Sequence, residues 1–421
     1  MALRTGSAAS RLIAPRSAPL HGVSATGRPR EESLIVRTAF VSTYPPRRCG
    51  IATFTHDLAA ATGRREIVAL DGDVDPLSYS PEVHHRIRRD HDGDYGRAAR
   101  SLGACVDVVS IQHEFGIWGG PDGAYVLDFV RALTVPAVTT LHTVLKSPTA
   151  GQRAVLSELV ARSDATVVMS RSAAALLVAV YGVERHKLDI VPHGVPDLPL
   201  VDPATVKASF GVDGRDVILS FGLLGPGKGY ELALEALPAV VAAHPAACYV
   251  IVGATHPNLL RTEGEAYRVR LTQMVGDLGL RDHVRFVDRF VGHVELMRWL
   301  EAADVFVTPY PHLDQIVSGT LSYAMGAGRA IVSTPYTYAA ELLSDGRGLL
   351  VTPGSPRALA NALTEVLSDR ALRATLGARA HAYSRRMVWS AVGAEYRRVF
   401  ERVAAGRAVP PRIPTLAALR A

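Results

Sequence analysis

From residue 34 onward, short apolar, β-branched runs alternate with longer Ala- and Leu-rich stretches. The short runs predict strands at Leu34–Ser42, Ile67–Leu70, Val106–Ile111, Ala137–Leu141, Ala165–Met169 and Leu188–Val191. Helices are predicted between them near Thr53–Ala61, Gly123–Leu133, Gly151–Ala161 and Ser172–Val180. Short buried strands joined by helical crossovers imply a parallel sheet covered on both faces. Such sheets place ligands beyond the carboxyl ends of their strands.

The segment 202–214 is polar and broken by Pro and Gly, and reads as a connection between domains. The alternation then restarts, with strands at Val217–Phe221, Cys248–Val252, Val284–Val287, Val305–Thr308, Ala330–Ser333 and Leu349–Val351. Its helices fall near Tyr230–Ala242, Glu263–Leu278, His293–Ala302, Ser318–Gly326, Tyr338–Leu343, Arg357–Leu367 and Asp369–Ala382. A last amphipathic stretch, Met387–Val403, is long enough to lie across another surface. The chain therefore divides into a tail at 1–33, a first α/β domain at 34–200, a second at 201–385, a crossing helix at 386–405 and a tail at 406–421.

The length of 421 residues fits two domains, and 48% apolar against 20% charged residues excludes a globally disordered chain. Five of the six units of net positive charge come from Arg4, Arg11, Arg16, Arg28 and Arg30, leaving +1 for the rest. That is weak support for a nucleic-acid surface. Three cysteines without metal-ligand spacing point to a reducing cytoplasm. No apolar run approaches a membrane span, the longest being of the order of Ala173–Tyr181. Peripheral contact at the inner membrane face stays open.

Candidate chemistry gathers where predicted strands end. The first strand runs into Ser42-Thr43-Tyr44-Pro45-Pro46-Arg47-Arg48-Cys49-Gly50, a loop that reaches a helix start at Gly50. A helix N-terminus there suits an anion or sugar hydroxyls, and a plain turn is the other reading. The G-x-G-x-x-G dinucleotide spacing is absent. Past the third strand come Gln112, His113 and Glu114, with Phe115 and Trp118 close behind, a mixture that suits a sugar ring. His142 stands at the fourth strand's end, and Val191-Pro192-His193-Gly194 leaves another strand near the domain boundary. The second domain opens with Gly222-Leu223-Leu224-Gly225-Pro226-Gly227-Lys228-Gly229. Its glycines permit close backbone approach and Lys228 adds a point charge, as a phosphate ligand requires. Walker spacing is missing, so ATP hydrolysis is unsupported. Finally, Ser318 is an N-cap for the helix beyond it. The amides at Ser318, Gly319 and Thr320 can cradle a diphosphate, with Asp314 and Gln315 placed to hold sugar hydroxyls.

In this order the motifs resemble family 4 of the retaining, nucleotide-sugar-dependent glycosyltransferases. The matching runs include Gly50, His142, Val191-Pro192-His193-Gly194, Gly222 to Lys228-Gly229, Ala324-Met325-Gly326-Ala327-Gly328 and Asp345-Gly346-Arg347-Gly348. The resemblance spans about residues 36–405. It implies the GT-B architecture, two facing Rossmann-like domains around a deep cleft, with the acceptor on the first and the nucleotide-sugar on the second. By that resemblance Gly50 lies near the donor phosphates and His142 stabilises the transition state at the transferred sugar. Lys228 binds the diphosphate, and the segment from Asp314 to Thr320 binds sugar hydroxyls and phosphates. Catalytic roles then fall to His142, Lys228 and Asp314. The nucleoside-diphosphate sugar is a co-substrate, no further cofactor or metal is required, and the acceptor class is open.

Two departures stand out. The family's usual Arg after the first glycine of the second domain is Leu223 here. Its usual pair of Glu residues, aligned through Ala324-Met325, is Gln315 and Tyr323. Asp314 takes the first role after a shift of one residue, and Tyr323 offers a hydroxyl to the ribose. A binding module without turnover and a sugar phosphorylase on the same fold are the alternative readings.

Overall fold

The computed structural model describes residues 36–63, 65–72 and 77–406. The two tails expected at 1–33 and 406–421 lie outside the described residues, apart from Gly406. The first lobe is built on β1 (Thr38–Ser42), β2 (Arg65–Asp71), β3 (Val83–Arg88), β4 (Val108–His113), β5 (Ala137–Leu141), β6 (Ala165–Val168) and β7 (Leu188–Ile190). These form one parallel sheet in the order β3-β2-β1-β4-β5-β6-β7. The second lobe carries β8 (Asp216–Phe221), β9 (Ala247–Val252), β10 (Val284–Val287), β11 (Val305–Thr308), β12 (Ala330–Ser333) and β13 (Leu349–Leu350), in the order β10-β9-β8-β11-β12-β13. The order reverses between β1 and β4, and again between β8 and β11, which are the points where parallel sheets open a crevice. In register, Phe40 pairs with Ile67 on one side and Ser110 on the other.

Central strands such as β11, Val-Phe-Val-Thr, are buried on both faces, so they read as continuous apolar runs. The edge strand β3, Val-His-His-Arg-Ile-Arg, was invisible to that criterion, because only Ile87 in it is fully buried. The helix after it, Asp92–Leu102, was also missed, because its sequence is polar overall although Tyr95, Ala98, Ala99 and Leu102 are buried. Arg88 ties the two together, donating to Asp94 through Nε at 2.7 Å and Nη2 at 3.0 Å. The helix expected over Glu263–Leu278 is broken. Gly264 at φ +59° separates Pro257–Glu263 from Ala266–Asp277. The 202–214 connection is anchored rather than loose. Lys207 in its short helix is buried and pairs with Asp304 at 2.5 Å. No helix among the described residues is long and apolar enough to cross a membrane.

The chain passes between the lobes twice, and the two passages bond to each other. Val195 N–H donates to Met387 O at 2.8 Å, and Trp389 N–H donates to Val195 O at 3.0 Å. The Trp389–Gly406 helix then lies on the first lobe, where Val392, Tyr396, Val399, Phe400 and Val403 share a core with Phe40, Phe54 and Leu58. At Gly393 a side chain would begin 2.5 Å from Ala61 O of the Gly50–Thr62 helix. Gly393→Val should therefore force the two helices apart. We expect a loss of about 1–3 kcal/mol, the usual range for overpacking, read as a lower urea midpoint. An unchanged midpoint would mean that the helix is not seated as described.

Candidate active site

The loops leaving β1, β4 and β5 make one wall of the cleft. Cys49 caps the helix beginning at Gly50, its Sγ accepting from Ala52 N–H at 3.3 Å. Gly50 itself is exposed, and among the described residues a side chain there would meet nothing. Arg47 folds away across Gly72, whose missing side chain makes room for the guanidinium.

Gln112 is wholly buried and ties two strands. Its Nε2 donates to Ser110 Oγ at 3.2 Å, and its Oε1 lies 2.9 Å from His142 Nε2. His142 Nε2 thus carries the proton and Nδ1 the lone pair. In this arrangement the His142 N–H is engaged by Gln112. The imidazole is held neutral by burial, with His193 and His113 as lesser causes.

Side chains alternate along a strand, so His113 turns to the opposite face of the sheet from Gln112. Its ring packs on Phe115 at 5.0 Å, it is fully buried, and neither ring nitrogen has a partner. Glu114 caps its own turn, accepting from Gly116 N–H at 2.8 Å. Local packing thus holds the His113 ring, and the cap of its own turn engages the Glu114 carboxylate.

The second wall is the end of β8 and β11. Gly222 adopts φ +130°, and a side chain on it would begin 3.5 Å from Thr320 Cγ2. Lys228 Nζ sits 4.5 Å from the Tyr310 ring centroid and 3.4 Å from its hydroxyl. The Tyr310 hydroxyl lies 3.0 Å from Thr320 Oγ1, which is 3.1 Å from Ser318 Oγ. Ser318 Oγ caps the Gly319–Gly326 helix by accepting from Leu321 N–H at 3.3 Å. One hydroxyl chain thus joins the lysine to a helix N-terminus, so cation and positive dipole end act on one place. Tyr310, which nothing in the sequence marked, is the link.

Gln315 is turned inward on itself, its Nε2 donating to Val317 O at 2.8 Å, and Asp314 is exposed. Tyr323 is buried, and its hydroxyl donates across the cleft to Asp57 Oδ2 at 3.4 Å. Burial and the Asp57 charge keep that phenol protonated.

The walls meet through an aromatic bridge that sequence reasoning did not foresee. The Phe54 ring lies 4.8 Å from His142 and 5.1 Å from His193. His193 Nδ1 donates to Gly194 O at 2.7 Å, leaving Nε2 unprotonated 3.0 Å from where a Gly319 side chain would begin. Further along, Glu341 of the second lobe accepts from Arg171 N–H and Ser172 N–H, each at 2.9 Å. Among the described residues no cluster of three His, Cys, Asp or Glu is arranged to hold a metal.

Residues 49–197 match the family described as Glycosyltransferase Family 4, and residues 215–369 match Glycosyl transferases group 1. The chain has the GT-B fold, two Rossmann-like lobes facing across a cleft. Among curated relatives, the phosphatidyl-myo-inositol mannosyltransferase of Mycobacterium leprae is 28% identical over 359 residues, covering 83% of this chain and 84% of the relative. The D-inositol 3-phosphate glycosyltransferase of Xylanimonas cellulosilytica is 32% identical over 293 residues, covering 62% and 64%. Of solved structures, Anabaena Alr3699/HepE in complex with UDP aligns at TM-score 0.70 with 17% identity, covering 87% of this chain and 100% of that one. Sucrose-phosphate synthase from Thermosynechococcus elongatus aligns at 0.71 with 19% identity, covering 88% and 100%.

Buried neutral histidines carry a consequence for stability. Burial depresses His113 to about 3 and His193 to about 4. The unfolded chain takes up protons near pH 6.5 while the folded chain does not, so stability falls as pH drops below about 6.5. It levels off only below the folded values. We expect a loss of roughly 2 kcal/mol per histidine between pH 6.5 and pH 5, measured by urea unfolding. His113→Phe should flatten that slope. A pH-independent midpoint across this window would contradict the burial.

Proposed function

We propose that this protein is a glycosyltransferase that moves a hexosyl group from a nucleoside-diphosphate sugar to an acceptor hydroxyl, with retention of anomeric configuration and without a metal ion. The observation that carries the reading is the Lys228–Tyr310–Thr320–Ser318 chain, which joins a cation to a helix N-terminus. A diphosphate is the ligand that such a place suits. The acceptor oxygen attacks the anomeric carbon, the bond from that carbon to the diphosphate breaks, and the hydroxyl proton passes to a donor phosphate oxygen. Lys228 and the amides at Gly319 and Thr320 stabilise the charge gathering on the leaving group. His142, neutral and fixed by Gln112, offers Nδ1 as an acceptor for a sugar hydroxyl. Lobe closure excludes water and limits hydrolysis.

Retention rests on the likeness to family 4. The two relatives described above are named for inositol-bearing acceptors, which makes inositol, its phosphate and phosphatidylinositol the first acceptors to test. The reading places the protein in the cytoplasm, at the inner membrane face if the acceptor is a lipid. Three free cysteines accord with that.

Incubation with UDP-, GDP- and ADP-hexoses and these acceptors, followed by mass spectrometry and NMR of the product's anomeric proton, tests the proposal. An added hexose with the donor's configuration is expected. Nucleotide binding with no transfer and no hydrolysis would point to the binding module, and phosphate-dependent disaccharide cleavage to the phosphorylase. Lys228→Ala should weaken the donor by about tenfold to hundredfold in calorimetry, as for loss of a charged hydrogen bond. Undiminished affinity would remove Lys228 from the site.

A further inference from the structure

We infer that Asp57, on the first lobe, is the carboxylate that receives the ribose hydroxyls of the bound nucleotide, with Tyr323 as the residue that positions it. The inference rests on the donor reading above and deepens it.

Asp57 lies within the Gly50–Thr62 helix, and its side chain is 17% exposed. Its two oxygens are held differently. Oδ1 faces His56 Nδ1 at 3.0 Å, while Oδ2 takes the Tyr323 hydroxyl from the opposite lobe at 3.4 Å. The second contact is long for a hydroxyl donor, and a carboxylate has about four acceptor sites, so capacity remains for more donors.

Position decides which donors. Gly319 and Tyr323 are four residues apart on one helix, so they share a face, with a rise of about 6 Å between them. That face looks at His193, which abuts Gly319 and lies 6.0 Å from the Tyr323 ring. A diphosphate at the amides of Gly319 and Thr320 has its ribose attached directly to it, within that rise. A carboxylate repels the phosphates themselves and binds neutral hydroxyl donors, so its natural partner is the vicinal diol of the ribose. Tyr323 is itself fixed by Phe221 and His293, whose rings lie 6.3 and 6.2 Å away. It therefore holds the carboxylate at one height on the helix. Neither Tyr323 nor Gln315 on the second-lobe segment is acidic, and Asp57 supplies the charge from the other lobe.

Calorimetry on the full chain tests this with UDP, GDP and ADP, and then with the 2′-deoxy form of whichever binds best. The wild type should bind the deoxy form about tenfold or more weakly, as expected for a lost charged hydrogen bond. Asp57→Asn should weaken the parent nucleotide and bring the ratio of the two affinities toward one. Tyr323→Phe, which keeps the ring and removes only the hydroxyl, should lower the ratio part of the way. Lys228→Ala should weaken both nucleotides alike and leave the ratio standing. A wild type that does not distinguish the two nucleotides overturns the inference. So does an unchanged ratio in Asp57→Asn or, should that variant not fold, in Tyr323→Phe. A wild type that binds none of the three overturns the donor reading, and the inference with it.

Discussion

Every strand in both sheets runs the same way, so every loop that follows a strand leaves along one edge of its lobe. The cleft exists because two such edges are held face to face, and the crossing of the chain holds them. Val195 and Trp389 lie on separate passages between the lobes yet share backbone hydrogen bonds, and the Trp389 ring covers Gly194 so closely that no side chain fits there. The terminal helix then buries an apolar face in the first lobe's core. Ser170 and Glu341 add contacts farther along, the former through its hydroxyl to Ile316 O at 3.3 Å. The geometry of both walls depends on this crossing, because among the described residues no strand pairs between the sheets.

The walls so placed differ in charge. The first is neutral and aromatic at its centre, since burial removes the proton that His142 and His193 would otherwise carry near neutral pH. The second carries Lys228 and an open helix end. An imidazolium on the first wall would compete for an anion; with both rings neutral, the field points one way. Tyr310 makes this economical. Its face receives the Lys228 ammonium while its hydroxyl reaches Thr320, so one side chain aligns a point charge with a row of amides.

The central strands of both lobes were legible because such parallel strands are apolar throughout, and Val305–Thr308 and Ala330–Ser333 came out with the expected bounds. β3 was not, because an edge strand keeps polar residues on its open side. The Ser318 cap and Lys228 could be picked out from residue type and position. Their connection could not, since Tyr310 is ten residues from Thr320 and joined to it only by folding. His113 and Glu114 looked like ligand groups because they follow a strand. Strand alternation turned the first inward, and a single turn of 3-10 helix used the second as its cap. Asp57 carries no local signal at all. A carboxylate inside an amphipathic helix reads as a solvated face, and only the opposite lobe gives it another meaning.

That last point bears on how a site can change its residues and keep its chemistry. An acidic residue on the Gly319–Gly326 helix would stand in the second lobe whether the cleft is open or shut. With Tyr323 there, the carboxylate arrives only when the lobes meet, because Asp57 belongs to the first lobe and the hydroxyl joining them spans the cleft. On the reading proposed above, binding of the nucleotide and closure of the lobes favour each other. Closure is then driven by hydrogen bonds that the open form cannot make, and a ligand shifts an equilibrium only through such differential contacts. A neutral helix paired with a remote carboxylate is thus a physically consistent arrangement, and it ties the two lobes together at the proposed donor site.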